Sequence, residues 1–202
     1  MGAKIYTVGH SKHAIGDFIE LLAPWGVNCV VDVRSVAASR FNPQYNKSKL
    51  AEALKEKGIA YLHLPDEFGA RQSSPDIVTN GKVDFDKVRS TPDFRNGVER
   101  LRQGVRKGFT IALMCAEADP LECHRFSMIS FALRTEFEIL HILKDKSVIT
   151  NSDLELELLR KFKKKILTSG LFTSVETVEE RIRAAYQLQS WSIAYSPPDH
   201  EA

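Results

Sequence analysis

Short β-branched apolar runs alternate along this chain with stretches of helical periodicity, the pattern of a parallel sheet covered by helices. KIYTVG (4–9), NCVVDV (28–33), IAYLHL (59–64), FTIALM (109–114) and FEILHIL (137–143) read as five strands. Between them, Ile15, Phe18, Leu22 and Trp25 recur at helical spacing with Ser11 as the expected N-cap, and KSKLAEALKEKG (47–58) is a helix closed by Gly58. A helix over about 91–107 turns Phe94, Val98, Leu101 and Val105 inward. Residues 122–134 are apolar nearly all round (Phe126, Met128, Ile129, Phe131, Leu133), as a buried helix is. The expected fold class is α/β: a single three-layer domain with a mainly parallel, five-stranded, Rossmann-like sheet and extra C-terminal helices.

Residues 1–150 are expected to form the core domain. Residues 151–195 would add two amphipathic helices packed on it, one with Leu154, Leu158 and Phe162 inward, the other with Val178, Ile182 and Ala185 inward. Residues 196–202 read as a disordered tail. The stretch from Pro65 to about Val83 reads as one long irregular connection, a length that points to a functional lid or partial disorder.

Composition narrows the function classes. With 202 residues, 43% hydrophobic and 27% charged, the chain is long enough for one sizeable core. A net charge of +2 is too small to indicate a nucleic-acid or membrane partner, although a local basic face is not excluded. No apolar run approaches the roughly 18 residues of a membrane span, and MGAKIYTVGHSK lacks the pattern of a signal peptide, so a cytoplasmic location is expected. Three widely spaced cysteines, Cys29, Cys115 and Cys123, argue for reduced thiols rather than a disulfide framework. Cys29, inside an apolar run, reads as a core thiol.

Placed on this map, the polar residues share an edge. His10 and Ser11 follow the first strand, and Asp32, Arg34 and Ser35 end the second. His63 and Asp66 end the third, and Cys115 and Glu117 follow the fourth. In an open parallel sheet these carboxyl ends converge on one crevice where the strand order reverses.

Each motif has a structural reading beside a chemical one. GHS (9–11) either caps a helix or offers free N–H groups to a phosphate or carboxylate, with His10 donating a proton or a hydrogen bond. Arg34 either pairs with Asp32 or presents its planar fork to an anion. In SRFNPQYN (39–46), Arg40, Asn42, Tyr45 and Asn46 either line a pocket or make surface turns. FGARQSSPD (68–76) brings Arg71 to the same edge; without Walker spacing it is a weak phosphate loop and a better mobile lid.

LMCAEADPLECHR (113–125) is the densest motif. Zinc would use Cys115, Cys123 and His124, with His10 as a fourth ligand, although C-x7-C-H departs from paired C-x2-C spacing. A thiolate nucleophile would be Cys115, or Cys123 at a helix start where the dipole and Arg125 lower its pKa. Arg125 lies ten residues after Cys115, which is not the C-x5-R spacing of a phosphatase loop. The preferred reading packs Cys115 as a small residue and makes Glu117 and Asp119 acid/base or ribose-binding carboxylates. His124 and Arg125 then orient a ligand. The structural alternative is Asp119-Pro120 simply starting a helix.

IYTVGHS, VVDVRS followed by SRFNPQYNKSKL, GIAYLHLPDEFGAR and LMCAEADPLECHR, in this order and spacing, resemble the domain of unknown function 488 family over roughly residues 3–145. The resemblance implies a compact cytoplasmic α/β protein of a family widespread in prokaryotes, and no reaction. The matching polar positions are His10, Ser11, Asp32, Arg34, Ser35, Ser39, Arg40, Asn42, Asn46, Gly69, Arg71, Cys115, Glu117, Cys123, His124 and Arg125. Two departures stand out: AASR where the family resembles Pro-x-Ser-Arg, and FGAR where it resembles Leu-Gly-Gly-Arg. Ala70 therefore puts in doubt any role that needs a positive φ at that position.

The leading expectation is an enzyme, a hydrolase or transferase, acting on a phosphate-bearing substrate such as a nucleotide or nucleic-acid component. Glu117 is its general acid or base, with His10 or His124 as partner. Ser11, Asp32, Arg34, Ser35, Arg40, Asn42, Asn46, Arg71, Cys115 and Arg125 are the candidate ligand-binding residues, and the sequence requires no metal or cofactor. One alternative is a non-catalytic nucleotide-sensing or nucleic-acid-binding module using the KFKKK face (161–165). The other is a thiol- or zinc-dependent enzyme built on Cys115, Cys123 and His124.

Overall fold

The order in which strands lie in the sheet, rather than along the chain, sets where a ligand binds. A computed structural model describes residues 2–168 and 177–198. The strands are β1 (Lys4–Gly9), β2 (Cys29–Asp32) and β3 (Ala60–His63), then a small hairpin of β4 (Val78–Thr79) and β5 (Lys82–Val83). β6 (Ile111–Cys115), β7 (Glu138–Ile142) and β8 (Val148–Thr150) follow. The main sheet has the order β3-β2-β6-β1-β7-β8. From β1 the chain moves outward to β2 and β3, returns through β6 into the gap between β2 and β1, and then crosses to β7. Gly9 pairs with Cys115 and Asp32 with Met114, so three central strands end side by side.

The period-two alternation of each strand feeds two covered faces. Ile111, Leu113 and Cys115 pack on one face with Phe68, Phe94, Leu101, Cys123 and Ile129. Ala112 and Met114 pack on the other with Phe18, Leu22, Leu50 and Leu54. The helices behind these contacts are α1 (Ile15–Leu22) and α2 (Lys47–Glu56) on one side, with α3 (Pro65–Phe68), α4 (Phe85–Arg89) and α5 (Pro92–Arg106) on the other. Thr91 caps α5, its hydroxyl accepting from the Phe94 amide.

Residues 125–130 form a π-helical turn that runs into α6 (Phe131–Leu133), not the regular helix expected over 122–134. The Ser130 hydroxyl donates to the Arg125 carbonyl at 2.8 Å within this wide turn. Met128 and Ile129 face the sheet while Phe126 faces α7 (Asn151–Thr168) and α8 (Val178–Ile193), which explains why the segment is apolar all round. Thr177 and Glu180 form a capping box at the start of α8.

Several expectations change. The main sheet has six strands, because Lys146 at φ 68° turns the chain back and lets β8 pair antiparallel with β7. Ser11 does not cap α1; Ala14 occupies that position without a side-chain bond, and Ser11 sits in a turn at φ 46°. The connection from Pro65 to Val83 is not structureless. It holds α3, a 3-10 turn at Pro75–Ile77 and the β4/β5 hairpin, whose Asn80 and Gly81 both have positive φ, as a type I′ turn requires. Ala70 has no positive φ, so the FGAR departure costs no backbone strain there. Val178, expected inward, is exposed, because it is the first residue of its helix. Of the expected disordered tail, 199–202 lies outside the described residues. Among the described residues no helix is long and apolar enough to cross a membrane.

Candidate functional site

A crevice of about 670 Å³ opens over the carboxyl ends of β1, β6 and β2, where the strand order reverses. Residues 10–12 after β1, 34–42 after β2 and 115–118 after β6 supply most of its wall, with Ala70 and Arg71 on one rim. Gly9 permits this geometry: a Cβ there would run into the Glu117 carbonyl. The His10 and Ser11 amides donate to the Cys115 and Ala116 carbonyls at 2.9 and 3.0 Å. GHS is therefore a β-type extension of the β1/β6 ladder, and these N–H groups are not offered to an anion.

Asp32 and Arg34 decide their own ambiguity. The guanidinium binds Asp32 through Nε at 2.9 Å and Nη2 at 2.6 Å, and Nη2 also donates to the Tyr45 carbonyl at 2.8 Å. The Tyr61 hydroxyl donates to the same carboxylate at 2.7 Å, so Asp32 is fully satisfied behind the wall. Arg34 Nη1 donates to His10 Nε2 at 3.2 Å, which makes Nε2 the acceptor and places the ring proton on Nδ1, donating to the Ser11 carbonyl at 3.0 Å. Burial lowers the His10 pKa below its usual value, and the Arg34 charge adds to this, so the ring is neutral at neutral pH. Its face stacks on Tyr45 with centroids 4.0 Å apart.

On the opposite side, Cys115, Cys123 and His124 are buried together and face the crevice. His124 Nε2 donates to the Val33 carbonyl at 3.0 Å, and Nδ1 lies 3.8 Å from each sulfur. A hydrogen bond from Cys123 holds the Cys115 thiol well below its ordinary range despite burial, with His124 and Arg125 adding positive charge. Burial and the Cys115 sulfur beside it push Cys123 up. Burial, the largest influence, would lower His124, but the charge of the Cys115 sulfur, its hydrogen bond to the ring and the bond to the Val33 carbonyl together outweigh it, and the net shift is upward. Arg125, fully buried, donates to the Glu117 and Ala118 carbonyls at 2.6 and 3.0 Å and ties the loop after β6 to the π-helical turn.

Of the residues singled out from sequence, His10, Ser11, Arg34, Ser35, Asn42, Arg71, Cys115, Glu117, Cys123 and His124 line the crevice. Glu117 is exposed on the rim. Asp32, Arg40, Asn46 and Arg125 are not part of the lining. Asn46 accepts from the Ser39 amide at 2.8 Å and shapes its own loop, and Arg40 is exposed. Asp119 accepts from the Leu121 amide at 2.8 Å, the turn-forming alternative. Arg71 is exposed, with its backbone held to the Ser35 hydroxyl at 2.8 Å. In the KFKKK run, Lys161 pairs with Glu122 at 2.8 Å and sits over the Phe162 ring. Lys12, Glu122, Ile193 and Tyr195 also line the crevice and escaped the sequence reading. The last two arrive from the end of α8, where the Tyr195 carbonyl accepts from the Val83 amide at 2.9 Å. The two aromatic residues in SWSIAY were the available signal for a returning segment.

Residues 14–131 contain every strand that borders the crevice except β1. No curated protein and no solved structure matches the chain. Residues 14–131 match the family described as Domain of unknown function DUF488, and the chain belongs to that family.

Proposed function

We propose that this chain is an enzyme acting by acid/base chemistry on a phosphate-bearing small molecule, with a nucleotide as the favoured class. The observation that carries the proposal is the crevice at the strand-order reversal, which joins Lys12, Arg34 and Arg71 with Glu117 and a neutral histidine. Its volume of about 670 Å³ suits a ligand of that size. Arg71 and Lys12 on the rim attract the anion, and Arg34, already anchored by Asp32, keeps a second Nη1 proton for an oxygen. Glu117, an exposed residue of the crevice wall, is the general acid or base, and His10, with both ring nitrogens engaged, orients the Arg34 guanidinium for the anion.

The test is a thermal-shift panel of nucleotides and sugar phosphates, each paired with its dephosphorylated form. A ligand at 100 times its Kd stabilises by about 2.7 kcal/mol. The expected result is a shift for phosphorylated members only, lost in Arg71→Ala. Glu117→Gln should then retain the shift and lose turnover by about 10²- to 10⁴-fold. Equal shifts with and without phosphate would overturn the substrate class. Undiminished turnover in Glu117→Gln would overturn the chemistry, and binding with no turnover in the wild type would make the crevice a sensor.

A further inference from the structure

We propose that Cys115, Cys123 and His124 form a zinc site at the floor of the crevice, with the fourth coordination position open to the bound ligand. The inference deepens the functional reading above and rests on it only for its link to turnover; the binding site itself stands on geometry.

The three ligand atoms, Sγ, Sγ and Nδ1, all lie within 4.8 Å of one another, and both sulfur-to-nitrogen distances are 3.8 Å. Zinc bonds of about 2.3 Å to sulfur and about 2.0 Å to nitrogen, arranged tetrahedrally, need about 3.5 Å between S and N and about 3.8 Å between sulfurs. The approach required is a few tenths of an ångström for nitrogen and at most about 1 Å for the sulfurs. The cluster is thus close to a metal-binding geometry.

The surroundings match what a metal ligand needs. A ligating histidine donates its other N–H to a carbonyl or carboxylate, which fixes its tautomer; His124 does this to Val33 and turns Nδ1 toward the sulfurs. The Arg125 amide donates to Cys123 Sγ at 3.5 Å, a bond suited to a thiolate. Two thiolates balance the charge of a divalent ion inside a buried pocket, and sulfur-rich tetrahedral sets select zinc among the common cations. The packing alternative, two small core thiols beside a core histidine, does not account for three donor atoms converging where the wall meets the crevice.

Among the described residues, the cluster whose ligand atoms come together takes in Cys115, Cys123 and His124 and no carboxylate, which leaves the fourth position open. His10, the natural candidate, has both ring nitrogens engaged, by Arg34 and by the Ser11 carbonyl. Glu122 is paired with Lys161. Three protein ligands and an open position define a catalytic rather than a closed structural site. Zinc binding would release the thiol protons to solvent; a water in the open position would be made more acidic by the metal and could pass a proton to the Glu117 carboxylate in the same crevice, leaving hydroxide on the metal.

The experiment uses the reduced full-length chain, stripped with a chelator and titrated with Zn²⁺ and with Co²⁺. The expected result is one ion per chain, with Co²⁺ giving thiolate charge-transfer and tetrahedral d–d absorption. Native mass spectrometry should show the mass of zinc less the released protons. Zn²⁺ should also slow alkylation of Cys115 and Cys123 by at least ~10-fold in the wild type, a readout that requires no variant to fold. Cys123→Ser should weaken Zn²⁺ binding by more than ~100-fold, beyond the cost of losing an outer partner. Glu117→Gln should bind Zn²⁺ as the wild type does. No stoichiometric uptake, an octahedral Co²⁺ spectrum, or rapid alkylation of Cys115 with zinc present would each overturn the site. Failure of zinc uptake with a surviving phosphate-dependent thermal shift would remove the metal and leave the substrate reading; zinc uptake without any such shift would do the reverse.

Discussion

Two buried histidines, His141 and His124, meet opposite fates. His141, on β7, is enclosed by a closed chain of hydrogen bonds: the Thr7 hydroxyl donates to Nδ1 at 2.8 Å, and Nε2 donates to the Asn151 side-chain oxygen at 3.2 Å. The Asn151 amide passes the chain on to Glu155 and the Tyr186 hydroxyl at 2.8 and 3.1 Å. Burial, with the Arg125 charge adding to it, pushes His141 down to about 3, so it is neutral throughout the physiological range. His124 is also buried, yet only one of its nitrogens has an oxygen partner, and the other lies beside two sulfurs at the crevice. Burial of a polar group therefore does not mark a site; an incompletely satisfied face at a crevice does.

The largest effect that sharpens this contrast is the loss of the closed network. His141→Ala leaves a cavity and strands the Thr7 hydroxyl and the Asn151 oxygen, so it should cost about 4 kcal/mol of stability. Urea midpoints check it, and Zn²⁺ or phosphate-ligand affinity of the folded fraction should be unchanged. A loss under about 1 kcal/mol, or altered affinity, would break the division of labour between the two histidines.

The next effect is in pH. The unfolded chain protonates His141 near 6.5, whereas the folded chain resists until about 3. As pH falls the unfolded state binds the proton first. The stability that neutral His141 contributes is thus complete above about pH 6.5 and lost as pH drops toward 3, by up to about 1.4 kcal/mol per unit. His10, also lowered by burial, adds a slope of the same sign. Urea midpoints between pH 7 and 4.5 should fall less steeply in His141→Gln than in the wild type; identical slopes would place the acid sensitivity elsewhere.

Much of the frame was legible because strand and helix periods are local properties. The five parallel strands and the shared carboxyl edge follow from runs such as NCVVDV and FTIALM and from the polar residues that end them. What escaped depended on short or distant signals. Asn80-Gly81 is a strong two-residue hairpin signal, but the flanking strands of two residues each are too short to register as periodic. β8 is likewise only three residues long, and its pairing depends on Lys146 adopting a positive φ that its side chain does not advertise. The meeting of Cys115 with Cys123 and His124 needed the loop after β6 to double back under Arg125, and spacing alone argued against it. Tyr195 reaches the crevice from the far end of the chain, a contact no local pattern encodes.

The smallest expected effect is the most discriminating. Glu117 lines the crevice with an exposed carboxylate that makes none of the described side-chain hydrogen bonds or ion pairs, in contrast to Asp32, Glu155 and Glu122, each of which is held by a partner. A side chain with no structural partner contributes nothing that its removal would cost, so Glu117→Gln should shift stability by no more than about 0.5 kcal/mol. The Glu117 carbonyl, not its side chain, is what Arg125 grips, and the substitution leaves that bond untouched. The urea midpoint of Glu117→Gln should therefore overlay the wild type while its turnover falls. Destabilisation beyond about 1 kcal/mol would show that this carboxylate has a structural partner after all, and would move it from the reactive side of the comparison to the side of His141.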